Sequence, residues 1–156
     1  MVKNLSFPKD NATHPAIIEW WYFNGNLKDN NGKEYAYMYC LFKANPKRIN
    51  LPFFDKIPVK DVYFSHFLIS DIEKNNSEFG TQIFYEEINC PDKDRLFIRT
   101  KDGGLIIKEG SPFNFDLKNQ FCDFRFSSKK PPLLINNLGW IDLKTKNTYY
   151  YSIPQL

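Results

Sequence analysis

The side chains of this protein repeat with a period of two, not with the spacing of a helix, and this limits its fold more than any other feature. Residues 34–42 (EYAYMYCLF) divide into two alternating faces, and residues 62–72 (VYFSHFLISDI) and 120–128 (QFCDFRFSS) show the same period. Successive side chains of a strand point to opposite faces of a sheet, so this pattern predicts strands. Aromatic residues, 17% of the chain, also favour strands. The predicted fold class is all-β.

Turn residues separate the predicted strands. Asn31-Gly32 and Asp102-Gly103 supply the positive φ angles that tight hairpins need. Strands joined in this way form an antiparallel meander, here of about eight strands. Closure into a β-barrel removes the exposed edges of such a sheet. We therefore predict a single antiparallel barrel domain over residues 1–156.

The charge and hydropathy of the chain exclude several classes of protein. Basic and acidic residues nearly balance, 21 against 18, and no basic patch typical of nucleic-acid binding is present. No stretch approaches the roughly 20 apolar residues of a transmembrane helix, and the N-terminus has no signal-peptide core. We expect a cytoplasmic protein, although a secreted or periplasmic full-length form is compatible with the sequence. Neither a metal site nor a cofactor is predicted, because no metal-ligand or nucleotide-binding motif occurs.

The three cysteines, Cys40, Cys90 and Cys122, are far apart in the sequence. Their odd number and spacing favour free thiols that pack as small apolar side chains. A disulfide between two of them in an oxidising compartment remains the alternative.

The first predicted strand contains a carboxylate within an aromatic cluster, in HPAIIEWWYFNGNL. Alternation places Glu19 on the same face as Trp21 and Phe23, with Trp20 on the other face. A carboxylate in apolar surroundings has a raised pKa and can transfer protons near neutral pH. The alternative is that Glu19 reaches solvent or pairs with a basic side chain, because charged residues are seldom buried alone.

A second candidate group lies in YFSHFLISD. His66 alternates with Phe64 and Leu68, which predicts an imidazole on an apolar face, and such a histidine is either a structural hydrogen-bonding group or an acid–base catalyst. Asp71 is five residues further on, so a regular strand places it on the opposite face. Glu19 and His66 can still meet across an aromatic barrel interior.

The segment 44–59 (ANPKRINLPFFDKIPV) interrupts the strand pattern with three prolines and a Phe53-Phe54 pair. A long loop of this kind is either a lid over the mouth of a barrel or a loop packed on its outside.

Three blocks in the same order carry a family resemblance: HPAIIEWWYFNGNLKDNNGKEYAYMYCLF, VYFSHFLISD and YYYSIPQL. Together they resemble the AttH-like, carotenoid 1,2-hydratase-related family of lipocalin-like proteins. The resemblance implies a lipocalin-like (calycin) barrel, the first of two tandem barrels, in either a truncated two-barrel protein or a one-barrel member. The positions that match the family are His14, Glu19, Trp20, Trp21, Tyr22, Gly25, His66, Asp71, Tyr150, Tyr151 and Ser152.

The family includes enzymes that hydrate or cyclise apolar substrates and others described as hydrolases. We therefore predict a domain that binds a hydrophobic small molecule, and the sequence leaves open whether it is itself an enzyme. Glu19 and His66 are the candidate acid–base residues. The residues predicted to line the ligand are Trp21, Phe23, Tyr37, Phe64 and Asp71. The alternative is a non-catalytic module with a filled barrel, which docks a second barrel or forms a homodimer.

Overall fold

Antiparallel strands account for nearly all the regular structure of the protein. The computed structural model describes residues 4–49, 59–110, 113–143 and 147–154. These residues form the strands β1 (Ile18–Lys28), β2 (Glu34–Ala44), β3 (Val62–Asp71), β4 (Asn76–Phe84), β5 (Phe97–Arg99), β6 (Leu105–Glu109), β7 (Asn114–Asn119), β8 (Asp123–Ser127), β9 (Leu133–Leu134), β10 (Trp140–Asp142), β11 (Asn147–Tyr149) and β12 (Tyr151–Ser152). The helical elements are α1 (Pro46–Ile49) and the 3-10 turns Lys9–Asn11 and Ile135–Asn137.

The strands pair mainly with their neighbours in sequence. One four-stranded sheet has the order β1-β2-β3-β4 and another the order β5-β6-β7-β8, with every pair antiparallel. Two short pairs, β10-β11 and β12-β9, complete the described pairing. The all-β antiparallel prediction is therefore confirmed, and so is the meander within each four-stranded sheet.

The prediction that the strands close into one hydrogen-bonded barrel is wrong for the described strands. Among the described strands, both four-stranded sheets are open, and neither returns to pair its last strand with its first. In the described part of the chain, the segment between β4 and β5 forms one isolated bridge, Asn89 to Arg99, and the Leu96 carbonyl accepts a hydrogen bond from the Glu109 N–H. The continuous strand pairing of the first sheet therefore ends at β4, and that of the second begins at β5. Period-two alternation does not reveal this break.

Two compact units divide the chain, His14–Ile88 and the combination of Met1–Thr13 with Asn89–Leu156. The first unit contains β1 to β4, and its buried face carries Trp21, Phe23, Tyr39 and Leu41. The second contains the remaining strands. Its sheet β5–β8 buries the branched side chains typical of a packed sheet: Ile98, Leu105, Ile107 and Leu117.

The predicted hairpin turns occur where the glycines indicated. Gly32 has φ +87° between β1 and β2, and Gly103 has φ +76° between β5 and β6. Both angles fall in the left-handed region that glycine adopts without steric strain. The predicted lid residues Phe53 and Phe54 lie outside the described residues.

Candidate functional site

A three-residue polar cluster lies where β1 begins. Glu19 is the second residue of β1, and the strand register places it directly opposite Lys43 of β2. One oxygen of its carboxylate, Oε1, lies 2.6 Å from Nδ1 of His14. The other, Oε2, accepts hydrogen bonds from the His14 backbone N–H at 3.0 Å and from Lys43 Nζ at 3.3 Å. Lys43 Nζ also donates to the carbonyl of His14.

The burial of this cluster explains its arrangement. The side chain of Lys43 is 5% exposed and that of Glu19 is 14% exposed, whereas that of His14 is 37% exposed. A buried ammonium group is costly unless a carboxylate and further acceptors surround it, as Glu19 and the His14 carbonyl do here. Glu19 is therefore a paired carboxylate, which is the alternative that the sequence left open. His14, its most exposed member, has a ring held through Nδ1 in the manner of acid–base histidines.

Sequence reasoning missed His14 and Lys43 as members of this cluster. The His14-Pro15 step, five residues before Glu19, was a local signal for the histidine. Lys43 is 24 positions from Glu19 in the sequence, and only the register of β1 with β2 brings the two together.

The inner face of the first sheet, defined as the face that carries Trp21, holds most of the predicted ligand residues. Trp21, Phe23 and Tyr37 all lie on it and are buried. Tyr39 and Phe67 extend the same aromatic surface across β2 and β3. The structure therefore brings together three of the five residues predicted to line a ligand.

The outer face of the first sheet, defined as the face that carries Trp20, holds His66 and Phe64. His66 lies opposite Cys40, and Cys40 lies opposite Tyr22, so these three share one face. The imidazole is stacked on the exposed ring of Phe79 at a centroid distance of 6.3 Å, and it contacts the rings of Phe42 and Phe64 edge-on. The apolar surroundings predicted for His66 are present.

Glu19 and His66 lie on opposite faces of the same sheet. The register pairs Glu19 with Lys43 and then Tyr63, whereas His66 pairs with Cys40. Three positions separate Tyr63 from His66 on β3, and an odd number of positions places side chains on opposite faces. The meeting of Glu19 and His66 across an interior, which the sequence left possible, does not occur.

Asp71, the fifth predicted ligand residue, forms an ion pair at the end of β3. Its Oδ2 lies 2.5 Å from Nζ of Lys33, and its Oδ1 accepts the backbone N–H of Lys74. The hydrogen bond from Lys33 holds the pKa of Asp71 below its usual range, and Asp71 raises the pKa of Lys33 in return. Lys33 also lies 5.1 Å from the ring centroid of Tyr35. These contacts connect the β1–β2 turn to the end of β3.

A buried carboxylate of the kind sought in the first strand occurs instead in the second sheet. Glu109 is 4% exposed and lies opposite Phe115. Its Oε1 accepts a hydrogen bond from Asn11 Nδ2 at 2.9 Å, and its Oε2 accepts one from the Leu96 backbone N–H at 3.3 Å. Burial raises the pKa of Glu109 above its usual value, against the opposing effect of these donors. The alternation of Leu105, Ile107 and Glu109 was the sequence signal for this residue.

Cys40, Cys90 and Cys122 are not joined by disulfide bonds. Burial raises the pKa of Cys40 to about 12 and that of Cys122 to about 11. Both side chains are therefore protonated near neutral pH, and protonated thiols are poor nucleophiles.

In the described ranges, no three His, Cys, Asp or Glu side chains converge in a way that could hold a metal ion. No helix in those ranges is long and apolar enough to cross a membrane.

A family model described as AttH-like matches residues 2–156. The chain belongs to the AttH-like family. The AttH-like resemblance predicted from its three sequence blocks is thereby confirmed. His14 and Glu19 of this AttH-like chain lie in the longest block, and Lys43 follows directly after it.

The fold of this AttH-like chain is also found in a solved structure. A crystal structure of a protein from Nitrosomonas europaea that carries the provisional name AttH matches it with a TM-score of 0.76 at 20% sequence identity. The match covers 97% of this chain and 47% of the other, so this chain spans about half the length of the solved protein. No curated protein matches the sequence.

Proposed function

We propose that this chain is a lipocalin-like domain that binds a hydrophobic small molecule on the inner face of its first sheet. The observation that carries the proposal is the aromatic lining of that face. Trp21, Phe23, Tyr37, Tyr39 and Phe67 present their rings from three adjacent strands. Small-molecule sites are lined mainly by apolar and aromatic side chains with a few polar groups among them.

The family supports this proposal and gives it a chemical direction. The resemblance found in the sequence implies a relation to hydratases, cyclases and hydrolases that act on apolar substrates, and we extend that implied relation to the ligand proposed here. In a catalytic member, His14 is the better acid–base candidate of the polar cluster at the start of β1, because Glu19 is held by Lys43 and positions the imidazole. His66, on the other face, belongs to the second candidate function.

Two neighbouring tryptophans offer a matched test, because they lie on opposite faces of one strand. Calorimetric titration with 1-anilinonaphthalene-8-sulfonate should give saturable binding. Trp21→Leu should raise the Kd about tenfold, as expected for the loss of roughly 1.4 kcal/mol of aromatic contact. Trp20→Leu should leave the Kd within about twofold, because that ring lies on the outer face.

Phe23→Leu provides a second inner-face variant in case Trp21→Leu does not fold, with circular dichroism as the check on folding. Absence of saturable binding by the wild-type protein would contradict the proposal. Equal effects of the Trp20 and Trp21 substitutions would place the ligand elsewhere.

A second candidate function is that of an interaction module, and a separate observation favours it. The outer face exposes large apolar side chains: Trp20 at 43%, Tyr22 at 50%, Ile83 at 52% and Phe79 at 68%. Contiguous apolar patches of this kind typically mark interfaces with other proteins. A second barrel or a second copy of this chain would cover it. Light scattering distinguishes the two functions, because an interaction module gives a dimer without saturable probe binding.

A further inference from the structure

The inner face contains two polar atoms that its aromatic lining does not account for. Ser65 of β3 is 1% exposed, and it lies directly opposite Gln82 of β4. Ser65 Oγ and Gln82 Oε1 are both buried, and neither has a hydrogen-bond partner among the described residues. They continue the row of paired residues that begins with Trp21 and passes through Leu41.

Such a pair is unfavourable in a filled core. A buried polar atom without a hydrogen bond lowers stability by about 1–3 kcal/mol, and an apolar side chain in its place carries no such penalty. Side chains at directly opposed positions have Cβ atoms about 4.5–5.5 Å apart, so one group placed between them can contact both. Ser65 and Gln82 therefore have the geometry of a two-point polar contact.

We propose that Ser65 and Gln82 form the polar end of the small-molecule site, and that the ligand is an apolar molecule with a hydroxyl group at this position. The Ser65 hydroxyl donates to the ligand oxygen, and Gln82 Oε1 accepts the ligand O–H. A hydroxyl group satisfies both atoms because it is both donor and acceptor. A carbonyl group satisfies Ser65 alone, and a carboxylate brings negative charge against Oε1.

This inference rests on the proposed function, since it places the ligand on the same inner face. Two probes that differ only in the hydroxyl group, 2-naphthol and naphthalene, separate the two claims. The quantity measured is the ratio of their dissociation constants, obtained by calorimetry on the full chain. A ratio removes the contribution of the shared aromatic rings, so it reports the polar contact.

Ser65→Ala and Gln82→Met should each reduce the preference for 2-naphthol about fivefold to tenfold, as expected for the loss of one buried hydrogen bond. Binding of naphthalene should stay within about twofold of wild type, because the variants retain the aromatic lining. Ser70→Ala is the matched control. It removes a hydroxyl from the same strand, but on the outer face, where Ser70 Oγ lies 2.8 Å from Ser77 Oγ.

The outcomes distinguish failure of the inference from failure of the proposed function. If both probes bind and their ratio is unchanged in Ser65→Ala and Gln82→Met, the hydroxyl subsite is overturned and the hydrophobic site stands. If neither probe binds saturably, the proposed function fails, and the subsite fails with it. Loss of the preference in Ser70→Ala as well would show an indirect effect, which also contradicts the subsite.

Discussion

At the scale of single residues, the pairing of Glu19 with Lys43 gives the clearest energetic expectation. Glu19→Gln leaves the Lys43 ammonium group buried without a carboxylate. Lys43→Met leaves the Glu19 carboxylate without its ammonium partner. Each should lower the free energy of unfolding by about 3 kcal/mol. The double variant should lose much less than the sum, because it removes both charges. Urea unfolding of the four proteins gives the coupling energy as a double-mutant cycle.

A surface ion pair provides the control for that cycle. Lys118 and Asp123 approach to 3.2 Å between neighbouring strands, with side chains 61% and 63% exposed. Asp123→Asn should change stability by less than about 1 kcal/mol, because solvent screens exposed pairs. Equal losses at the two sites would show that burial does not strengthen the Glu19–Lys43 pair.

Glu109 should make stability depend on pH in a definite direction. Its raised pKa means that the folded protein keeps this proton to a higher pH than the unfolded chain does. The free energy of unfolding should therefore fall as pH rises from about 4.5 through the folded pKa. The hydrogen bonds from Asn11 and Leu96 and the charge of Arg95 oppose the rise in the Glu109 pKa, whereas the charge of Asp92 adds to it. Glu109→Gln should reduce this pH dependence. The check is the free energy of unfolding, measured by urea unfolding between roughly pH 4.5 and 8.

Asp71 provides the opposite sign on the same protein. Its pKa is lowered by Lys33, so its contribution is present above the ordinary aspartate value of 3.8 and is lost as pH falls through the folded pKa. Asp71→Asn should therefore lower stability by a constant amount above the ordinary aspartate pKa and remove the pH dependence at the acid end of the profile. A profile in which Glu109→Gln and Asp71→Asn change the slope over the same pH range contradicts the assignment of both shifts.

Sequence alone predicted which residues share a face, but not what lies against them. Trp20 and Trp21 point to opposite faces as expected, because that result depends only on the geometry of a strand. The partner of Glu19 depends on register, which the local sequence does not specify. The face of His66 was ambiguous for another reason: both faces of β3 carry aromatic residues, so hydrophobicity does not identify the buried one.

At the scale of structural elements, glycines at positive φ divide into those constrained by backbone alone and those constrained by packing as well. Gly139 has φ +69°, and a Cβ there would overlap Cδ1 of Leu5. Gly103 has φ +76° with nothing within 4 Å. Gly103→Ala should lower stability by about 1 kcal/mol through backbone strain, and Gly139→Ala by about 2–3 kcal/mol.

Thermal unfolding of Gly139→Ala, made in the wild-type protein and in the Leu5→Ala variant, separates backbone strain from the clash with Leu5. The smaller side chain should remove the excess loss and leave the backbone strain, so that Gly139→Ala then resembles Gly103→Ala. A full loss that persists beside Leu5→Ala would refute the steric explanation.

The elements themselves were predicted unevenly. Alternation identified β2, β3 and β8, where a buried face opposes a more exposed one. It did not identify β4, because large apolar residues lie on both of its faces: Phe79 and Ile83 are exposed on one face, and Phe84 is buried on the other. The short strand β6 (LIIKE) was not identified because it has five residues and Ile106 places an apolar side chain on its less buried face as well. The division into two open sheets depends on where backbone strand pairing ends, and side-chain patterns do not predict that position.

At the scale of the whole molecule, the proposed association would depend on the exposed aromatic surface of the first sheet. Phe79→Asp with Ile83→Asp places two charges on that surface, on the edge strand β4. It should abolish any dimer seen by sedimentation velocity, since charged groups are unfavourable in the core of an interface. Asn24→Asp with Asn26→Asp adds the same charge at exposed polar positions of β1 on the same face. The control should leave association unchanged, and a similar effect of both pairs would point to net charge instead of the aromatic surface.

The pairing of Glu19 with Lys43 has a consequence for how the first hairpin chooses its alignment. Both faces of β1 are rich in aromatic residues, so a slip of one residue against β2 exchanges one aromatic face for the other and loses little apolar burial. The same slip sets the buried Lys43 opposite Ile18 or Trp20 and removes its carboxylate. It also moves Gly25 away from Tyr37, whose ring lies 3.3 Å from the position that a Cβ would occupy. The Glu19–Lys43 ion pair and the absence of a side chain at Gly25 thus favour one alignment of β1 with β2. Hydrophobic burial alone would distinguish poorly between the alternative alignments.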